Sequence, residues 1–212
     1  MLAIYYTQKS EVMTPLFWEW CRQQLPATIR DRIERKASRE KIKTSLLGYL
    51  LLKESFERNG IPEAIDMIKQ SPTGRPNITQ DFDFNISHSA QYAVCAFSKK
   101  YSIGIDIEKI KPISFEFLQS FFNQDEWAEL HQNENTQEQF YRLWTKKEAV
   151  VKADGRGLNI PLKEIIIRNN QGFVERVKWF LQEIPLDENY MMHVATNEPI
   201  SEYQRVKISF KG

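Results

Sequence analysis

Between residues 28 and 59 apolar positions recur three and four apart: Ile29 and Ile33, then Ile42, Leu46, Tyr49 and Leu50. That period predicts helix, which Asn59-Gly60 ends ahead of Pro62. A cluster of breakers follows, Ser71-Pro72-Thr73-Gly74-Arg75-Pro76-Asn77, and reads as a loop. Beyond it the period shortens to two. Residues 91–98 and 101–108 predict strands, and Lys99-Lys100 between them is short enough for a hairpin turn, although the usual Asn-Gly is missing. Helical spacing returns over residues 115–122, 126–131 and 137–153, the last stopped by Asp154-Gly155 and Gly157. Residues 164–168, 173–177 and 191–195 are rich in β-branched and aromatic side chains and predict strands, with a turn at Asn169-Asn170-Gln171-Gly172. Helices followed by strands occur in each half. The pattern predicts an α+β protein of two similar lobes, residues 1–100 and 101–212, each with helices packed on a small, mainly antiparallel sheet.

Composition narrows the class. With 42% hydrophobic and 27% charged residues in a chain of 212, there is apolar material for one sizeable core or two small ones, which excludes a disordered tail or a coiled rod. The 29 Lys and Arg nearly cancel the 28 Asp and Glu, so no global field grips a nucleic-acid backbone or an anionic membrane. Any anion site must be local. Residues 22–43, with Arg30 and Arg32 among eight basic groups against three acids, form either a solvated helix face or a phosphate-binding surface. Cys21 and Cys95 stand far apart with no CxxC pair, as in a reducing compartment. No uncharged apolar run approaches the ~20 residues that cross a bilayer, and the first residues carry no basic stretch leading into a long apolar one. A cytoplasmic protein is expected.

Four segments carry candidate chemistry. In residues 101–108, Ile103, Ile105 and Ile107 alternate with Gly104, Asp106 and Glu108, so a strand buries the isoleucines and sends both carboxylates to the other face. Two anions so close beside an apolar layer call for a cation between them, and oxygen ligands favour Mg²⁺; the alternative is an exposed edge with two solvated acids. Gly104 on that face leaves room for a ligand. In residues 140–152, Phe140, Leu143, Trp144 and Val151 form a buried stripe, while Tyr141, Glu148 and Lys152 line its flank. Glu148 and Lys152, one turn apart, are either a surface ion pair or a partly buried base beside a cation that meets an anionic substrate. In Asn123-Gln124-Asp125-Glu126, Glu126 stands where a capping box places it. Finally, Asn85-Ile86-Ser87-His88-Ser89 precedes the first hairpin strand, and antiparallel pairing about Lys99-Lys100 brings His88 and Ser89 to the same end as Glu108. Hydroxyls, amides and an imidazole collected there can hold a phosphate, although a lone His also serves as a local hydrogen-bonding residue. No GxSxG, HExxH, Walker A or GxGxxG pattern is present.

Ile103-Gly104-Ile105-Asp106-Ile107-Glu108 and Trp144-Thr145-Lys146-Lys147-Glu148-Ala149-Val150-Val151-Lys152 resemble the two signature motifs of the 4′-phosphopantetheinyl transferases, (V/I)G(I/V)D(I/V)E and (F/W)(S/C/T)xKEAxxK. Residues 85–89, Gly74-Arg75-Pro76 and residues 121–127 are similar to further landmarks of the large, doubled, Sfp-like subfamily. The resemblance implies a monomer of two α+β lobes related by a pseudo-twofold, with coenzyme A and Mg²⁺ between them. Such an enzyme moves the phosphopantetheine arm of coenzyme A onto a serine of an apo acyl or peptidyl carrier protein and releases 3′,5′-ADP. It implies Asp106 and Glu108 as Mg²⁺ ligands, with Glu148 as third ligand, general base or both. Lys152 then neutralises charge on the diphosphate, and Glu126 shares the base role. Arg30, Arg32, Arg75, Ser87, His88 and Ser89 hold coenzyme A, the 3′-phosphate at His88. Where relatives often place an Arg before Leu46-Leu47-Gly48, this chain has Lys43-Thr44.

Two other readings use the same residues. A Mg²⁺-dependent phosphodiesterase or nuclease also builds on acidic pairs and a lysine, but needs a basic groove that a net charge of +1 does not favour. A catalytically idle carrier-binding module has no need to keep two like charges adjacent.

Overall fold

The computed structural model describes residues 1–9, 14–36, 38–132 and 134–210. Strand β1 (Leu2–Gln8) leads into α1 (Pro15–Gln23), α2 (Ala27–Glu34) and α3 (Arg39–Arg58). The single helix expected over residues 28–59 is interrupted: Arg35, Lys36 and Ser38 are non-helical, and residue 37 lies outside the described residues. Ser38 restarts the helix, its hydroxyl accepting the Lys41 amide. Asn59 and Gly60, at φ +74°, end it as expected. Two short strands, β2 (Lys69–Gln70) and β3 (Pro76–Asn77), clasp the expected loop. There follow β4 (Asp83–Ser89), β5 (Tyr92–Ser98), β6 (Ile103–Lys109), α4 (Gln124–Gln132) and α5 (Thr136–Asp154). The chain ends in β7 (Ile166–Arg168), β8 (Gln171–Val174), β9 (Val177–Glu183), β10 (Tyr190–Thr196) and β11 (Tyr203–Lys207).

The class is α+β, as expected. One sheet has the order β11-β1-β5-β4 and a second β6-β10-β9-β8-β7. All neighbours are antiparallel except β1 and β11. That parallel pair carries the last strand back across the expected boundary at residues 100/101 into the first sheet. The expected β5–β6 hairpin does not form. Both edges of β5 are taken, by β1 and β4, while β6 pairs with β10. The Ser98 hydroxyl accepts the amides of Lys100 and Tyr101, making the link between strands a crossing from one sheet to the next. Nor is there a full helix over residues 115–122, which hold only a 3₁₀ turn at Gln119–Phe121. Phe115, Leu118 and Phe122 pack with Trp127, Phe140 and Trp144 of the two helices behind them. A lone eight-residue period is too short to hold a helix without such packing, and here the packing scatters it.

The sheets meet through side chains. Asp83, Asn85, Ser87 and Ser89, alternate residues on one face of β4, accept the amides of Ile103, Ile105, Ile107 and Lys109 at 2.8, 3.0, 3.4 and 3.0 Å. The free N–H edge of β6 is thereby satisfied by its neighbour's side chains, which removes the cost of orphaned donors. The expected split of β6 holds: Ile103, Ile105 and Ile107 are buried against Leu2, Ile4, Val94 and Ala96 of the first sheet and Met192 and Val194 of the second. The other face of the first sheet packs Phe84 and Phe97 on Phe56 of α3. Gly104 serves a different end from the one expected. A Cβ there would stand 2.0 Å from the Ala149 carbonyl oxygen and 2.3 Å from the Ala153 amide nitrogen, so the space it leaves is filled by α5 and not by a ligand.

Candidate active site

That close approach lays α5 along β6 and sets its functional face. Glu148 and Lys152, one turn apart, come to the flank that meets β6 and β4, as the stripe predicts. Lys152 does not pair with Glu148. Its ammonium donates to Asp106 Oδ1 at 2.6 Å, Ser87 Oγ at 2.9 Å and the Ile105 carbonyl at 3.1 Å, so all three protons are used. Asp106 is 4% exposed, and its Oδ2 is buried with no hydrogen-bond partner. Glu108 accepts the Ser89 hydroxyl at 2.7 Å. Glu148 is half-buried, with no hydrogen bond or ion pair among the described residues.

The electrostatics bind these acids into one group. Burial first, then Asp106, holds the Glu108 carboxyl above the usual carboxylate range, against the Ser89 hydrogen bond. Glu148 is raised by burial and by the charges of Asp106 and Glu108, against Lys152. The closed cage of three acids expected from the sequence is not preformed: among the described residues no three His, Cys, Asp or Glu side chains converge into a cation cluster. Lys152 takes one Asp106 oxygen instead. The donors nevertheless suit a hard divalent ion, because three carboxylates repel one another and a buried carboxylate oxygen lacks a partner.

Other candidates fall in different places. Ser87 and Ser89 face β6, whereas His88, between them on β4, faces the opposite side. The groups acting on His88 include Lys36 and Lys152, which push its pKa down after burial does, and Asp106, which opposes them. Lys36 lies on the α2–α3 connection. Arg30 and Arg32, named from the sequence, lie on α2, where Arg32 donates to the Tyr49 hydroxyl at 3.2 Å. Arg75 is engaged in a bracket: its guanidinium grips both oxygens of Asp83 at 2.8 and 2.7 Å and the carbonyls of Ile103 and Ala153 at 2.9 and 3.2 Å. It borders a cavity of about 240 Å³ between β4 and the end of α5, lined also by Thr73, Asn85, Val151 and Lys152. A larger cavity of about 640 Å³, lined by Arg142, Lys146 and Arg168, lies on another flank of α5 and holds none of Asp106, Glu108, Glu148 or Lys152.

Glu126 caps α4 in the reciprocal manner the sequence predicts: its amide donates to Asn123 Oδ1 at 2.9 Å and its Oε2 accepts the Asn123 amide at 3.1 Å. The same oxygen stands 2.7 Å from Lys147 Nζ. The sequence reading passed over Lys147, which is fully buried and also donates to the Leu162 and Ile165 carbonyls, both at 2.8 Å. A signal existed, since Lys147 is three residues after Trp144 and four before Val151, inside the apolar stripe. Every oxygen of Glu126 is thus occupied by structure, Oε1 by the Ile167 amide at 3.4 Å.

The pairing of an acidic strand with the helix that bears Glu148 and Lys152 is matched by the comparisons. Residues 102–203 match the model of the 4′-phosphopantetheinyl transferase superfamily. The 4′-phosphopantetheinyl transferase Sfp of Bacillus subtilis is 31% identical over 182 residues, covering 80% of this chain and 81% of that protein. The chain belongs to this superfamily. The transferase gsp of Aneurinibacillus migulanus is 36% identical over 130 residues, 60% of this chain and 54% of its own length. The human L-aminoadipate-semialdehyde dehydrogenase-phosphopantetheinyl transferase is 27% identical over 204 residues, 80% of this chain and 66% of its own. As a phosphopantetheinyl transferase, the chain sets both family motifs face to face at the joint between its sheets. No helix among the described residues is long and apolar enough to cross a membrane.

Proposed function

We propose that the protein transfers the 4′-phosphopantetheine arm of coenzyme A to a serine of an apo acyl or peptidyl carrier protein, releasing 3′,5′-ADP. One observation carries the reading: Glu148, half-buried and without a partner, faces Asp106 and Glu108 across the joint, with an unpartnered Asp106 oxygen beside it. In the reaction the carrier serine oxygen bonds to phosphorus, the bond from phosphorus to the oxygen of the leaving 3′,5′-ADP breaks, and the serine proton is taken by a base. Glu148 is that base, since burial and the neighbouring carboxylates raise its proton affinity above that of an ordinary glutamate. Glu126, with its oxygens occupied, takes no share. Asp106 and Glu108, with Glu148 beside them, would hold a divalent ion, Mg²⁺ by the hardness of these ligands, which would neutralise the diphosphate charge. Lys152 adds its ammonium at the same place. His88 and Lys36 receive the 3′-phosphate, and Arg75 shapes the wall through its bracket.

Ser87 and His88 come from the first lobe and Asp106, Glu108, Glu148 and Lys152 from the second. One chain therefore supplies both walls, which supports a monomer. Buried, unpaired Cys21 and Cys95 fit a reducing cytoplasm. The test is incubation with coenzyme A, Mg²⁺ and several apo carrier domains, read by intact mass. A carrier gaining one phosphopantetheine arm supports the proposal. No adduct on any carrier overturns it.

A further inference from the structure

Ser87 and Ser89 do two things at once. Each hydroxyl has one proton to give and two lone pairs to offer. At Ser87 the Ile107 amide, at 3.4 Å, and the Lys152 ammonium, at 2.9 Å, occupy the lone pairs, so the proton goes to Asp106 Oδ1 at 2.9 Å. At Ser89 the Lys109 amide donates at 3.0 Å and the proton goes to Glu108 Oε2 at 2.7 Å. The hydroxyls belong to β4 and the carboxylates to β6, so each hydrogen bond crosses the joint. Its effect is directional. With Oδ1 of Asp106 tied to Ser87 and Lys152, Oδ2 is the oxygen left buried and unpartnered. With Oε2 of Glu108 tied to Ser89, Oε1 is the one left over.

We propose that Ser87 and Ser89 are positioning residues, which fix the rotation of the Asp106 and Glu108 carboxylates so that one oxygen of each stays free for a cation. The inference rests on the cation role proposed above for Asp106 and Glu108. It also means that the seating of one lobe on the other sets the carboxylate geometry, a dependence that neither motif alone contains.

The probe is Mn²⁺ alone, titrated into the full-length protein without coenzyme A and followed by the electron paramagnetic resonance of the free ion. Ser87→Ala and Ser89→Ala each weaken Mn²⁺ binding by about tenfold or more, the usual effect of removing a group that orients a ligand. Ser87→Thr, which keeps the hydroxyl, restores it. In steady-state assays the ratio of KM for coenzyme A to KM for 3′-dephospho-coenzyme A stays as in the wild type. Wild-type Mn²⁺ affinity in both alanine variants, with loss in Asp106→Asn, overturns this inference and leaves the cation reading standing. A rise in KM for coenzyme A alone overturns it too, because the hydroxyls then hold the 3′-phosphate. Equal affinity in wild type and Asp106→Asn overturns the cation reading and this inference with it. Should Ser87→Ala not fold, Ser89→Ala at the strand end and Ser87→Thr decide the matter.

Discussion

Replacing Glu126 with Gln separates a structural carboxylate from a catalytic one. The substitution is nearly isosteric and keeps an acceptor for the Asn123 amide at 3.1 Å, so the cap on α4 survives. What it removes is the carboxylate paired with Lys147, whose side chain is fully buried. The ammonium keeps the Leu162 and Ile165 carbonyls at 2.8 Å but loses its counter-charge. Breaking a buried pair from one side costs about 3–5 kcal/mol, because the remaining charge stays in a low dielectric. For a chain of 212 residues, where 1 kcal/mol moves Tm by about 2–4 °C, the melting point falls by roughly 10 °C. The double variant Glu126→Gln with Lys147→Met removes both charges at similar volume and recovers part of that loss. Urea unfolding of wild type, both single variants and the double variant gives the coupling directly. A Glu126→Gln protein within about 1 kcal/mol of wild type, or a double variant no better than the single, refutes the account. Transferase activity below the melting range completes the test. It stays near wild type if Glu148 is the base, and drops by about 10²–10⁴ if Glu126 is.

Two further outcomes follow from the charges around the site. Burial, Asp106 and Glu108 raise the Glu148 pKa, so kcat/KM toward the carrier rises with pH through a value above the ordinary ~4.3 of a glutamate and levels once the base is ionised. Glu148→Gln lowers kcat by about 10²–10⁴ and abolishes that limb, and a limb at or below the ordinary value refutes the assignment. The raised pKa has the opposite sign for stability. The folded chain binds these protons more tightly, so Glu108 and Glu148 favour the fold while protonated, and that contribution falls as pH climbs from the unfolded to the folded value. Lys36→Ala raises KM for coenzyme A over that for 3′-dephospho-coenzyme A more than Arg30→Ala or Arg32→Ala does. Equal effects of the three remove Lys36 from the 3′-phosphate site.

Periodicity carried much of this site. The alternation in residues 103–108 placed three isoleucines in the core and two acids on the other face because a strand has no other way to sort them. The helical period likewise put Glu148 and Lys152 on one flank. Pairing was out of reach. Ser89 does meet Glu108, but through a parallel neighbour whose side chains reach the β6 amides, and not through the hairpin that Lys99-Lys100 suggested. A turn read from two residues says nothing about competition for strand edges, and β1 and β4 win both edges of β5. A count of basic residues over 22–43 cannot tell which of their charges bears on His88, whereas the folded chain brings that of Lys36 to bear on it.

The second motif shows how helix phase distributes chemistry among adjacent residues. Successive side chains on α5 turn by about 100°, so Lys146, Lys147 and Glu148 enter three surroundings. Lys146 lines the larger cavity, Lys147 is sealed on Glu126, and Glu148 looks across to β6. Lys152 returns to the phase of Glu148 and ties Asp106 to the helix. The placing of Asp106, Glu108 and Lys152 also depends on β4, whose side chains accept the amides of Ile103, Ile105, Ile107 and Lys109. Without the first lobe the larger loss is burial: Ile103, Ile105 and Ile107 pack on Leu2, Ile4, Val94 and Ala96, and at about 1.5–3 kcal/mol for each side chain exposed that loss rivals the whole stability of a domain this small. The acidic motif, the helix that answers it and the strand that seats both therefore form one cooperative unit. A second lobe cut free would keep its site residues in sequence while losing the geometry that makes them a site.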